Sequence, residues 1–246
     1  MESSGGNYGS DKTTKYSGEI VPYAGLVYDL TEQYSVYASY TEIFDPQTET
    51  DMSGSRLAPL EGVNYEAGIK GELFDDRVNV SLAVFRTEQD NLAEFVQMVA
   101  GKNRYRAVDG ITSKGYELEV SGELLPGLQV MAGYTFVDIT NADDKHTQTH
   151  SPKHLFKTST TYRVPGLEQL KVGASLNWQD DIHNGIAEQD AYALVNLMAS
   201  YDIDPNWSVS ANLNNVTDEK YLTSLYWTQA YYGAPRNASM TVSWKY

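Results

Sequence analysis

Three histidines, His146, His150 and His154, stand at i, i+4 and i+8. On one face of a helix that spacing would bring imidazole nitrogens together around a metal. Here it falls in a polar stretch joining two alternating segments, where a four-residue step does not superpose side chains. The reading is a solvated loop with no metal site. The fourth histidine, His183, stands alone in another such stretch. The carboxylates Glu66, Glu72, Glu117, Glu119 and Glu123 alternate with apolar residues, so they share a wetted face and form no pair poised for acid–base chemistry. There is no phosphate-binding glycine loop and no serine–histidine pair, so no catalytic residue is expected. No cysteine occurs, which excludes thiolate nucleophiles and disulfides. What is abundant is aromatic: 19 Tyr and 4 Trp in 246 residues.

The elements that hold these residues have period two, the signature of strands with two unlike faces. Tyr65, Ala67, Ile69 and Leu73 alternate with Glu66, Lys70 and Glu72. Leu170, Val172, Ala174, Leu176 and Trp178 alternate with Lys171, Gly173, Ser175, Asn177 and Gln179. About eleven such segments are expected, at 17–30, 33–44, 63–74, 77–90, 110–124, 127–141, 154–164, 168–180, 190–203, 206–216 and 237–246. Helical periodicity is absent, except that a short helix is expected over 91–100. Short links, such as 125–127 and 204–206, alternate with long ones at 45–61, 91–109, 142–153, 181–189 and 217–236. Strict alternation of link length means an up-and-down antiparallel sheet with hairpin turns at one end and loops at the other.

A soluble β-sandwich also alternates, but its strands are usually ~5–6 residues. A tilted membrane strand needs about 9–11 residues, and most of these segments are at least that long. Aromatics sit at strand ends on the apolar face: Tyr28, Tyr34, Tyr40, Tyr65, Tyr116, Tyr162, Trp178, Tyr201, Trp207, Trp244 and Tyr246. Rings prefer the boundary between headgroup and hydrocarbon, so this placement predicts two girdles. The fold class is therefore all-β, an antiparallel transmembrane β-barrel wall. The charge of −15 argues against a nucleic-acid partner. Residues 1–10 have no basic-then-apolar pattern, so no signal peptide is expected.

Several stretches, in order, resemble the C-terminal half of a TonB-dependent outer-membrane receptor of the ferric-siderophore branch, most similar to the coprogen and pyoverdine types. They include Ser39-Tyr40-Thr41-Glu42-Ile43-Phe44-Asp45-Pro46-Gln47, Leu60-Glu61-Gly62-Val63-Asn64-Tyr65-Glu66-Ala67-Gly68, Ser113-Lys114-Gly115-Tyr116-Glu117-Leu118-Glu119, Asn215-Val216-Thr217-Asp218, and Tyr232-Gly233-Ala234-Pro235-Arg236. The resemblance implies a place in the outer membrane of a Gram-negative bacterium and contact with its lipid. It implies uptake of a ferric siderophore, expected to be of hydroxamate type, with iron carried as the chelate and no cofactor bound directly. It also implies energy from TonB, ExbB and ExbD through a plug domain, and insertion by the barrel-assembly machinery reading the terminal aromatic strand.

The family barrel has about 22 strands around a plug. Against that pattern the whole of 1–246 is expected to be the C-terminal part of a barrel domain, a partial barrel without plug or TonB box. By motif position the last long loop is the expected ligand site, through Tyr226, Trp227, Tyr231 and Tyr232, with Phe95 (and its neighbours Gln97 and Met98) weaker. Their rings offer stiff contact area and a polar tip suited to a bulky chelate. Arg236 is expected to anchor re-entry into the last strand, and the wetted carboxylates to face basic groups of a plug. The alternative is a passive pore or structural barrel module.

Overall fold

The computed structural model describes residues 2–3, 14–226 and 230–246. Eleven strands form one antiparallel sheet in strict chain order. They are β1 (Tyr23–Asp29), β2 (Tyr34–Asp45), β3 (Leu60–Leu73), β4 (Val78–Asp90), β5 (Ile111–Leu125), β6 (Leu128–Thr140), β7 (His154–Arg163), β8 (Leu170–Gln179), β9 (Tyr192–Asp202), β10 (Trp207–Asn214) and β11 (Asn237–Trp244). Each pairs with its sequence neighbour, and β1 and β11 are the two edges. Both edge strands run from the loop end of the sheet towards the turn end.

The register fixes the faces. One row runs Ala38, Ala67, Val84 and Tyr116, and the next runs Val36, Ile69, Leu82, Leu118 and Tyr134. Further along, Val172, Ala199, Ala211 and Met240 stand side by side. The rows between them hold Ser39 with Glu66, Lys70 with Ser81, and Ser81 with Glu119. Because side chains alternate with period two, a one-residue slip would put every charge into hydrocarbon, so the register is strongly specified.

Two aromatic belts cross the apolar face. At the loop end Tyr40 and Tyr65 lie 5.4 Å apart, Tyr116 lies 5.4 Å from Phe136, and Phe136 lies 4.8 Å from His154. At the turn end Trp207 stacks beside Trp244 at 6.3 Å, and Trp244 beside Tyr246 at 5.6 Å. On β2 the belts are Tyr34 and Tyr40, six residues or ~20 Å of strand apart. Between belts the face is small or aliphatic and open: Leu82, Leu118 and Leu197 are all more than 40% exposed. A soluble protein would cover such a surface; a bilayer supplies the covering. Buried apolar side chains among the described residues are correspondingly few, and lie at strand starts (Val78, Ile111) or in the links between strands (Leu57, Ile182, Leu225).

The helix expected over 91–100 does not form. Leu92–Val99 is a strand paired antiparallel with Lys102–Val108, making a hairpin beyond the sheet. Ala100 and Gly101, both at positive φ, make its tip. The β-branched Val96 and Val99 and the aromatic Phe95 and Tyr105 favour extended backbone, and each strand supplies the other's ladder bonds. The helical reading failed because it treated 91–100 alone and overlooked the matching run 102–108.

Candidate functional site

The loop end carries two groups of side chains. The first joins the β2–β3 link to the hairpin. Gln47 is buried, and its Nε2 donates to the carbonyls of Ala58 and Asn91, each at 2.6 Å. Arg104 Nη1 donates to Thr50 Oγ1 at 2.7 Å, and the Tyr105 amide donates to the Thr50 carbonyl at 2.9 Å. The Asp51 carboxylate accepts from the Ser53 hydroxyl and from the Ser53 and Ser55 amides, which holds its pKa below the usual carboxylate value, the hydroxyl contributing most. Phe95 stands on the hairpin, half-exposed, edge-on to Tyr105 at 5.9 Å. Gln97 reaches Met52 Sδ at 3.7 Å, and Met98 is exposed.

The second group gathers the other three links. Asn215 is its hub. It is buried, at positive φ, and its Nδ2 donates to the carbonyls of Glu219 (2.8 Å) and Ala234 (3.1 Å), while its Oδ1 accepts from the Glu219 amide (2.8 Å). One side chain thus ties both ends of the last loop. Arg236 does anchor the re-entry: its amide donates to Asp218 Oδ1 at 2.8 Å and its guanidinium lies 3.8 Å from the other carboxylate oxygen. Leu225 is fully buried. The small hairpin of Ile182–His183 and Glu188–Gln189 bonds to the 141–153 link through Thr149 and to the last loop through Asn184 and Gln189.

Tyr226, Tyr231 and Tyr232 each keep more than half their surface open. Tyr226 meets His150 edge-on at 4.9 Å, and Lys220 Nζ sits 4.4 Å over the Tyr232 ring. Trp227 lies outside the described residues. Phe95 belongs to the first group and the three tyrosines to the second. Sequence reasoning missed His150 and Lys220 as ring partners, since both are long-range or loop contacts with no periodic signal. It missed Asn215 as well, although an Asn-Asn-Val-Thr-Asp stretch after a strand is a turn signal.

The histidines diverge. His146 Nδ1 lies 3.3 Å from Asp138 Oδ1, His150 faces Tyr226, and His154 Nδ1 lies 2.6 Å from the Tyr134 hydroxyl. Among the described residues no three histidine or carboxylate groups converge on a metal position. Burial alone pushes the His150 pKa below 6.5. A depressed histidine stabilises its folded surroundings above its unfolded pKa and loses that contribution as pH falls through the folded value. His150 is therefore expected to titrate below 6.5 by NMR, and Tyr226→Ala, which opens one side of the ring, to move the midpoint back up. A midpoint at or above 6.5 in the unsubstituted chain would contradict the packing.

On the inner face the carboxylates find local donors. Tyr37 donates to Glu66 Oε1 at 2.6 Å, and the Gly127 amide donates to Glu123 Oε1 at 2.6 Å. Lys70 Nζ lies over the Tyr37 ring at 5.1 Å. Among the described residues no ion pair joins an inner-face lysine to Glu66, Glu72, Glu117, Glu119 or Glu123.

The model of the β-barrel of TonB-dependent receptor-like proteins matches residues 2–216. The chain belongs to this family. It is part of the β-barrel of a TonB-dependent receptor of the Gram-negative outer membrane. The ferric-pyoverdine BN7/BN8 receptor of Pseudomonas putida is 45% identical over 251 residues, covering 97% of this chain and 30% of that protein. The ferripyoverdine receptor of Pseudomonas aeruginosa is 42% identical over 258 residues, covering 97% and 32%. The solved pyoverdine outer-membrane receptor FpvA of Pseudomonas aeruginosa PAO1, bound to pyoverdine, superposes with a TM-score of 0.85 at 40% identity over 97% of this chain and 38% of that one. The chain thus spans about a third of the length of these receptors.

Proposed function

We propose that residues 1–246 are the C-terminal part of the barrel domain of a receptor that imports a ferric siderophore of the pyoverdine class, energised through TonB. The observation that carries this is the match over nearly the whole chain to ferric-pyoverdine receptors at 41–45% identity. The hydroxamate class expected from the sequence finds less support, since these relatives are named for pyoverdine. Iron is cargo inside the chelate, and no resident cofactor or catalytic step is assigned. TonB, ExbB and ExbD act on the receptor as a whole. The exposed rings of Tyr226, Tyr231 and Tyr232, on a loop pinned by Asn215, are our proposed ligand contacts in this segment, together with Trp227 of the same loop and Phe95 of the 92–108 hairpin. A tyrosine presents large area with few rotatable bonds, so little entropy is lost on contact.

The test is a chimera in which this chain replaces the matching segment of the Pseudomonas aeruginosa ferripyoverdine receptor, in cells without other pyoverdine receptors. TonB-dependent uptake of radioactive iron from ferric pyoverdine is expected, with little from ferrioxamine B. The reverse preference would overturn the siderophore class; uptake independent of TonB would favour the passive pore. In that chimera Tyr226→Ala is expected to weaken ferric-pyoverdine binding about tenfold, the ~1–2 kcal/mol typical of one aromatic contact. An unchanged affinity for Tyr226→Ala, Tyr231→Ala and Tyr232→Ala alike would remove the last loop from the site.

A further inference from the structure

At the tip of the small hairpin stands Asn184, followed by Gly185, the one Asn-Gly pair in the sequence. We propose that this pair is a site of spontaneous deamidation, and that the reaction uncouples the hairpin tip from the last loop at Leu225 while the Gln189 bond to Leu222 remains.

Three observations carry the chemistry. Gly185 has no side chain to shield its nitrogen, sits at φ 81°, and has open space where a Cβ would stand. The tip is exposed, with Ile186 79% accessible. The Asn184 Oδ1 accepts from two backbone amides, Ile186 at 3.0 Å and Ala187 at 2.9 Å. Two N–H groups aimed at that oxygen stabilise the negative charge it takes up when its carbon is attacked, as an oxyanion hole does. The Gly185 nitrogen loses its proton and bonds to Asn184 Cγ, the Cγ–Nδ2 bond breaks, and ammonia leaves with the proton. Water then opens the succinimide at either carbonyl, giving aspartate or isoaspartate. No oxidant or reductant is involved.

A second observation carries the consequence. Asn184 Nδ2 donates to the carbonyl of the fully buried Leu225 at 2.9 Å. That bond ties the hairpin to the loop one residue before Tyr226. Deamidation replaces the donor with a carboxylate oxygen facing a carbonyl oxygen. Both are acceptors, so the bond is lost and a repulsion takes its place. The isoaspartate product also lengthens the backbone at the turn and misplaces the two amides that Oδ1 holds. The inference does not depend on the identity of the ligand.

The test ages the folded receptor chimera carrying this chain at mildly alkaline pH, in heavy-oxygen water, beside a free peptide spanning 180–190. Peptide mass spectrometry is expected to find label at residue 184 of the folded protein, formed at a rate equal to or above that of the peptide. A folded rate about tenfold or more below the peptide's, equivalent to a barrier raised by ~1.4 kcal/mol, would show that the turn protects Asn184 and would overturn the site. Asn184→Asp, made directly, is expected to speed amide hydrogen exchange across 222–226 while leaving β7 and β8 unchanged. Exchange equal to the unsubstituted protein would overturn the uncoupling. Asn184→Asp tests the consequence even where deamidation is slow.

Discussion

Leu118→Arg is expected to cost about 2–4 kcal/mol, the price of a guanidinium near the midplane of a lipid-facing barrel strand. Leu118 stands between Leu82 of β4 and Tyr134 of β6 on the apolar face, between the two aromatic belts. Its same-face neighbours along and across the strands are Tyr116, Val120, Leu82 and Tyr134. The adjacent residue is the control. Glu119 lies on the other face, where Ser81 is its cross-strand neighbour. Glu119→Arg is expected to change stability by less than about 1 kcal/mol, as ordinary wetted substitutions do. The measurement is denaturant unfolding of the receptor chimera in lipid vesicles, with heat-modifiable mobility as a simpler readout of assembly. Equal effects at the two positions would mean that the faces are assigned wrongly or that the sheet lies in water.

The second large effect is expected at Asn215. Removing its side chain with Asn215→Ala leaves the Glu219 amide and the carbonyls of Glu219 and Ala234 without their partner. These three bonds are part-buried and Glu219 and Ala234 are exposed, so water takes over some of the loss and each bond contributes about 0.5–1.5 kcal/mol. Alanine also tolerates the positive φ less well than asparagine. Local opening of 217–236 is expected to become easier by about 3 kcal/mol, read as hydrogen exchange more than a hundredfold faster there. The strands should keep their exchange rates, because β10 and β11 retain their ladder. Ferric-pyoverdine affinity should fall at least tenfold in the chimera. Asn215→Asp keeps the acceptor and loses the donor, so an intermediate effect is expected. A wall that unfolds together with the loop would show that Asn215 serves the barrel and not the site.

Much of the wall was legible because a membrane strand obeys one rule at every residue. Alternation, segment length and the placement of Tyr and Trp at strand ends are all local quantities, and they located the eleven strands with ends displaced by a few residues. The exceptions were at the first segment, which runs from 17 in the sequence reading and from Tyr23 in the structure, and at 91–108. In the second case a one-strand window showed mixed apolar and polar residues, and only the partner strand decides the conformation. The loop groups were less legible for the same reason. Gln47 with Asn91, Arg104 with Thr50, and His150 with Tyr226 are contacts across separate links. No periodicity encodes them. The aromatic richness of the last loop was visible, but not that Leu225 would turn inwards and Tyr226 outwards.

The direction of the two edge strands has a consequence for any closed form. Since β1 and β11 both descend, a neighbour that continues the antiparallel pattern must ascend at each seam. A complement that begins and ends on ascending strands contains an odd number of them, which with eleven gives the even total found in bacterial single-chain barrels. A second copy in the same membrane orientation offers only descending edges. Both of its seams would pair in parallel, against the grain of the up-and-down pattern. Strand direction therefore excludes an all-antiparallel ring of two copies in one membrane orientation, although their twenty-two strands would satisfy parity.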